Sequence, residues 1–444
     1  MKIQTAFVLL SAVVAAGAWG CGSSDSQTQT GTTRASLHRA KGCGDLLSDL
    51  KADAKFKLNK GIDRQIQSIQ TCLAKYGEEQ CAYVGGGYDY GGGRGGALGA
   101  PSAEAGAQDN GSSAPPAAPA KASEYSETNT QVAGVDEADI VKTDGSNLYV
   151  LHGRAFKVLK AWPANSLAEL GTLDIEGSPS EMFVADGKVV VYSTVNGAKI
   201  FQAAGVTPKH QYQDWVYYGG GPGGPAVGAP EPAVDREGDV GAPAPQEPYV
   251  PLTKVTVLTL SGGTPAVARE VYFEGGYLDS RRVGQHVRTV LQGFAYGPKL
   301  KRSVYELLAP PPTKGETGTD LPTNTTDDPY PKTGSGMIQA LEQLRAANIA
   351  AIDASTLGEW LPYSFVKEGA AVTAKTIACE DFYVPTAGST ESGITEVASL
   401  DLADPAAVPR ETAILGRADT VYGDADNLYL AAHAWVEPPF AWAD

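Results

Sequence analysis

The chain of 444 residues carries 35 Lys and Arg against 51 Asp and Glu, a formal net charge of −16. That balance excludes a nucleic-acid partner, because a polyphosphate needs a basic surface, and its plain consequence is a solvated acidic exterior. With 52 Gly and 29 Pro, much of the length is barred from helix and regular sheet, which leaves room for one main folded domain.

Residues 1–20 begin with Lys2, continue as the apolar run AFVLLSAVVAAGAW and end in small residues before Cys21. This is a secretory leader, too short before its polar continuation to span a bilayer. Ala18-Trp19-Gly20-Cys21 resembles a bacterial lipobox, with Gly20 fitting well and Trp19 poorly. The resemblance implies that Cys21 is diacylated and becomes the first mature residue. Gly22 and Ser23 are not the Asp that retains enteric lipoproteins at the inner membrane, so an outer-membrane lipoprotein, or a secreted protein, is expected. Residues 21–42 read as a polar tether.

Between residues 43 and 82 a small helical segment is predicted. Leu47, Leu50, Ala54 and Leu58, then Ile62, Ile66, Ile69 and Leu73, recur at steps of three and four, and Gly61 divides them into two helices. Cys43, Cys72 and Cys81 flank or lie within this pair. An exported two-helix unit with little core gains from a disulfide, and the cysteine spacing fits no zinc pattern. Four cysteines remain after Cys21, allowing three pairings. The expectation is a bridge from Cys43 to Cys72 or to Cys81.

Residues 83–124 form a low-complexity Gly/Tyr and Ala/Pro/Ser linker. GGGRGG at 91–96 and GGGPGG at 219–224 spell the dinucleotide fingerprint without the strand and helix that it requires, and Asp136-Glu137-Ala138-Asp139 spells a helicase box without a phosphate loop. All three are chance matches.

From residue 125 the pattern changes to short strands. Ile140-Val141, the turn Asp144-Gly145-Ser146-Asn147 and Leu148-Tyr149-Val150-Leu151 make a hairpin, since Gly145 tolerates positive φ and the Asp and Asn side chains bond local amides. Similar units recur at 184–192 and 420–430, and KVTVLTL at 254–260 adds another strand. Polar insertions interrupt the series near 216–250 and 309–335, and 337–349 reads as a helix that decorates a loop or caps a face. Repeated small antiparallel sheets joined by Asp/Gly turns point to an all-β fold, a β-propeller over residues 125–444 preceded by the helical segment and linkers.

The same residues carry a family likeness. NTQVAGVDEADIVKTDGSNLYVL at 129–151, GYLDSRRVGQHVRTVL at 276–291, CEDFYVP at 379–385 and DTVYGDADNLYLAAHAW at 419–435 resemble the secreted bacterial β-propeller family distantly related to WD40 repeats. The likeness implies the fold and no activity. Members of that family continue past the point where WVEPPFAWAD ends this chain, so an incomplete propeller is expected, truncated or completed by a partner chain.

No nucleophile–base pair, H-E-x-x-H, G-x-S-x-G or C-x-x-C is present, and His38, His152, His210, His286 and His433 are scattered. Arg281 and Arg282, beside Ser280, suit strand-edge or inter-blade contacts. Asp136, Asp139 and Asp144 are weak candidates for a Ca²⁺ site, without the order of an EF-hand loop. No cofactor is called for. The reading is a membrane-anchored extracytoplasmic propeller that binds or scaffolds a protein or glycan partner. A hydrolase-like enzyme with a site assembled across blades in the central funnel is the alternative.

Overall fold

A computed structural model describes residues 36–82, 132, 134–209, 249–308 and 330–432. Cys21, most of the tether, the linker and the bulk of both insertions lie outside the described residues.

In chain order, β1 (Leu37–Arg39) leads into α1 (Cys43–Leu73). Then come β2 (Asp136–Glu137), β3 (Val141–Thr143), β4 (Asn147–His152), β5 (Ala155–Lys160) and β6 (Ala168–Asp174). β7 (Ser178–Ala185) and β8 (Lys188–Asn196) precede the short α2 (Ala198–Ala204). β9 (Pro251–Ser261), β10 (Thr264–Phe273), β11 (Gly276–Val283) and β12 (His286–Gly293) are followed by α3 (Val304–Leu308) and α4 (Gly334–Ala354). The series ends with β13 (Ser364–Glu368), β14 (Ala371–Lys375), β15 (Phe382–Pro385), β16 (Ile394–Asp401), β17 (Arg410–Leu415), β18 (Ala418–Gly423) and β19 (Leu428–Ala432).

These strands form four sheets. Sheet I is β3-β4-β5-β6, sheet II is β7-β8-β9-β10 extended by β13-β14, and sheet IV is the hairpin β18-β19. Sheet III orders β2-β11-β12-β16-β17-β15-β1, so strands from both flanks of the chain join it. Its one parallel pairing is β15 with β17, and every other is antiparallel. Sheet II exceeds four strands because β13-β14, beyond the second insertion, add to its β10 edge, and sheet III because β2 adds to one edge and β15-β1 to the other.

The alternating pattern dictates how the sheets stack. Val189, Val191 and Leu258 on one face of sheet II meet Tyr149, Phe156, Val158 and Ile175 of sheet I and its exit loop. On the opposite face Tyr192, Val255, Val257, Val271 and Phe273 meet Val287, Leu291, Ala398 and Leu400 of sheet III. Strand residues i and i+2 share a face, so sheet II is buried on both sides and reads as the near-continuous apolar run VVVY. Burial at roughly 25 cal/mol per Å² of apolar surface makes these two interlayers the cohesive contacts between sheets I, II and III.

The helical segment differs from the sequence expectation. One helix of 31 residues replaces two, running through Gly61 without a break. Leu58 and Ile62 are four residues apart, so the buried stripe Leu46, Leu50, Leu58, Ile62, Ile66 and Ile69 stays in phase across the glycine. Burying that stripe outweighs the roughly 1 kcal/mol that a helical glycine costs. It packs on Met337, Leu341 and Leu344 of α4 and on Phe382, Val384 and Leu415 of sheet III, one cluster continuous with the β domain. α4 is longer than the predicted 337–349 because the Thr333 hydroxyl accepts from Gly336 N at 3.0 Å and caps it.

The disulfide expectation is corrected. Cys43 bonds Cys379, 336 residues away, and not Cys72 or Cys81; those two bond each other. The first bridge fastens the start of α1 beside β15, and the second closes the turn after its end. Glu78 in that turn accepts from Ser335 N at 2.9 Å and Ser335 Oγ at 2.7 Å, locking it to the first turn of α4.

Candidate functional site

Asp136 stands where sheets I and III meet. β2 runs antiparallel to β11, with Asp136 opposite Arg282 and Glu137 opposite Arg281. Asp136 Oδ2 accepts from Arg282 Nε at 3.0 Å and Nη2 at 2.9 Å, while Oδ1 accepts from Lys142 Nζ at 2.8 Å. Lys142 is a buried residue of β3 and also donates to the Glu137 carbonyl. Arg281, buried as well, donates to Asp279, to the Ser280 carbonyl at 2.8 Å and to the Val421 carbonyl of β18 at 3.3 Å. Its Nη2 lies 3.7 Å from Glu137. Arg281 therefore makes an inter-sheet contact with β18 and Arg282 a strand-edge contact with β2 of its own sheet, the two alternatives expected of them, and Asp136 and Glu137 serve as counter-charges.

The three candidate Ca²⁺ ligands do not converge. Asp136 is spent on Lys142 and Arg282. Asp139 accepts from Ile140 N at 2.7 Å, while its backbone bridges to Met182. Asp144 closes its own turn, accepting from Ser146 N at 2.8 Å, Asn147 N at 2.7 Å and Tyr149 Oη at 2.8 Å. Burial opposes ionisation of Asp144, yet these donors hold it below the usual carboxylate range. Tyr149 is pushed up to about 12 by burial and by that carboxylate. Asp424 repeats the geometry with Asp426 N at 2.8 Å, Asn427 N at 2.7 Å and Tyr429 Oη at 2.9 Å. The third unit, at 184–192, departs from it: Asp186 sits at φ 46 in a tighter turn, and Tyr192 Oη bonds Thr289 Oγ1 at 2.8 Å instead.

Of the histidines, His152 and His286 are exposed, and His210 and His433 lie outside the described residues. His38 sits with Asp45 and Asp49, donor atoms within 4.8 Å of one another. Its Nε2 pairs with Asp49 at 2.9 Å and Asp45 accepts from Lys41 N at 2.9 Å, so both carboxylates serve the start of α1.

Residues 125–441 match the family described as "Beta propeller domain". The chain belongs to that family. Sheets I to IV are termed its blades I to IV. An "Uncharacterized protein" of Archaeoglobus fulgidus is 40% identical over 68 residues, covering 12% of this chain and 11% of that protein. The chain thus spans about a tenth of that relative's length. No solved structure matches.

Sequence reasoning missed a cleft between blades I and II. It has a volume of about 190 Å³ and is lined by Leu173, Asp174, Ile175 and Glu176 at and after the end of β6, with Lys254, Thr256, Val267, Glu270 and Lys367 on blade II. Register explains the grouping, because Thr256 lies opposite Glu270, which lies opposite Lys367, and Lys254 lies opposite Tyr272. Lys254 Nζ donates to Glu176 Oε2 at 2.8 Å and to Glu270, and Lys367 Nζ lies 2.8 Å from Glu270 Oε2. Tyr272 Oη donates to Glu176 at 3.0 Å. Burial resists ionisation of Glu176 and Glu270, but the lysines outweigh it and hold both carboxyls below their ordinary range. Gly177 sets the position of Glu176: it has φ +83, and a Cβ there would meet the Thr194 carbonyl at 2.2 Å. The Thr256 and Ser193 hydroxyls are buried without a hydrogen-bond partner among the described residues. Only an alternating polar stretch, KVT at 254–256, could have hinted at this face, and its partners are 16 and 78 residues away.

Proposed function

We propose that the chain is a membrane-anchored extracytoplasmic β-propeller that binds or scaffolds a protein or glycan partner. A propeller domain supports a binding or scaffold role in general terms. The observation that carries the reading here is the use of the ionisable groups at the blade junction. Asp136, Glu137, Lys142, Arg281 and Arg282 are committed to one another, a fixed clasp, while in the cleft between blades I and II the paired Glu176 and Lys367 stay partly exposed to solvent. Anchoring rests on the leader and Cys21.

One observation bears on the hydrolase-like alternative. Glu396 and Glu411, on adjacent strands of blade III, are two neighbouring carboxylates, the raw material of acid–base catalysis. Both are buried against blade II, Glu396 with 4% of its surface exposed, which denies them a substrate.

The test is to run the purified mature chain against envelope glycans and against a broad hydrolase panel. Retention on a ligand without turnover is the expected result. Reproducible turnover abolished by a single substitution would overturn the binding reading.

A further inference from the structure

Two hairpins of the chain repeat one another position by position, and their surroundings differ. In β3-β4, Val141 lies opposite Val150, Lys142 opposite Tyr149 and Thr143 opposite Leu148 around the Asp144 turn. In β18-β19, Val421 lies opposite Leu430, Tyr422 opposite Tyr429 and Gly423 opposite Leu428 around the Asp424 turn. Position 141 thus corresponds to 421, 142 to 422 and 149 to 429. Side chains alternate along a strand, so each hairpin has one face of the Val141 kind and one of the Tyr149 kind.

The two hairpins are covered on opposite faces. Val421 is 7% exposed because its face rests on blade III, where a Cβ at Gly423 would meet the Arg281 side chain at 3.1 Å. Val141, at the same position in blade I, is 42% exposed, and Leu148, Val150 and Leu159 on its face are half-buried. On the other face of blade I, Tyr149 is 5% and Lys142 6% exposed, because blade II packs there through Met182, Phe183 and Val189. Tyr422, which corresponds to Lys142, is 42% exposed, and its ring lies 5.7 Å from that of the half-buried Tyr429. Among the described residues, blade I therefore has a blade after it and none before it, and blade IV has one before it and none after it. What belongs on each open face is a blade, since a blade covers the corresponding face of the other hairpin.

One molecule carries both halves of the missing joint. Blade I offers the aliphatic Val141, Leu148, Val150 and Leu159, and blade IV the aromatic Tyr422 and Tyr429. None of these six is charged, so two copies of a chain of net charge −16 can meet there without burying like charges together. The joint between blades I and II has the same make-up, Val189, Val191 and Leu258 on one sheet against Tyr149 and Phe156 on the other. A second copy turned about a two-fold axis sets its blade IV on the first copy's blade I and receives the first copy's blade IV on its own blade I. Both joints then form at once, and four blades from each copy give eight, within the range of about four to eight for closed propellers.

We propose that the outer faces of blades I and IV form a joint between two copies of this chain, which together close an eight-bladed ring.

Sedimentation velocity of the mature chain tests it, at roughly 0.15 M salt to screen long-range repulsion and with Cys21→Ala so that neither acyl chains nor a free thiol joins copies. A concentration-dependent species of two chains is expected, and none larger. Val141→Lys and Tyr422→Lys should each raise the dissociation constant at least about tenfold, because each buries an unpaired charge in both joints. Both residues are exposed in the single chain, so circular dichroism and thermal melting of dilute variants should match the dilute parent. An equimolar mixture of the two variants should recover a two-chain species, since one of its two joints then brings together unsubstituted faces. A joint of either face with its own copy would be weakened by one variant only, and that result overturns the proposal. So does a single-chain mass for the parent, whether residues of the same polypeptide or a different envelope protein cover these faces. A ladder of larger species, or a mixture that stays single, overturns the closed ring as well.

Discussion

Glu396 is the residue whose surroundings most strongly oppose its charge. It sits on β16, opposite Leu291 of β12 and Ala413 of β17, and its Oε1 is buried without a hydrogen-bond partner among the described residues. Burial and then the charge of Glu411 push its carboxyl well above the ordinary 4.5, with Lys375 opposing only in part. Glu411 itself is held by Lys375 Nζ at 2.7 Å and Ser364 Oγ at 3.1 Å, both from blade II. A raised folded pKa means that the native state keeps a proton that the unfolded chain has released. The stability contributed by Glu396 is therefore complete below about pH 4.5 and is lost as pH rises through the folded pKa, at up to about 1.4 kcal/mol per pH unit. Glu396→Gln should remove that slope and raise the melting temperature in neutral buffer. Melting curves of parent and variant from acid to neutral pH decide it, and parallel pH profiles would refute the assignment. Asp144 and Asp424 were legible as residues, because an Asp three before Asn and five before Tyr is a turn that closes on its own side chains. Glu396 was not, since its cost arises from a strand 15 residues on and a blade folded against it.

At the scale of elements, α1 shows how periodicity can be right and segmentation wrong. The three- and four-residue spacing determined which face is buried, but only the packing of α4 and sheet III decided that the helix runs unbroken through Gly61. The cysteines follow the same logic. A bridge across 336 residues removes more freedom from the unfolded chain than one across 9, about 5–6 against about 2–3 kcal/mol in the chain-entropy account. Cys379→Ser should therefore lower the melting temperature more than Cys81→Ser. It should also free α1 to proteolysis, because the bridge is what fastens the helix start beside β15. Non-reducing peptide mapping that joined Cys43 to Cys72 or Cys81 would contradict this pairing.

On the scale of the whole molecule, blades I to III cohere through two apolar interlayers, and blade IV is a hairpin among the described residues. Val421 is buried, Leu428 and Leu430 are half-buried, and Arg281 ties β18 to blade III. Among the described residues no helix is long and apolar enough to cross a membrane. The proposed attachment therefore rests on Cys21, where two acyl chains would anchor firmly at about 0.8 kcal/mol per buried methylene. Cys21→Ala should move the protein from the membrane fraction to the soluble fraction on cell fractionation, and a variant as membrane-bound as the parent would dismiss lipidation.

The amino-acid sequence alone determined the strand-rich class, the hairpins at 141–151 and 420–430, and the buried stripe of α1. Each of these is written in spacings of two to five residues, within reach of local backbone geometry. It carried the family likeness over 125–435 as well. Tertiary structure decided the rest: the partner of Cys43, the clasp of Asp136 with Lys142 and Arg282, the unequal blades, and the cleft of Glu176, Lys254 and Glu270. Those groups lie up to hundreds of residues apart, and their meeting depends on strand register and blade stacking, which no local pattern encodes.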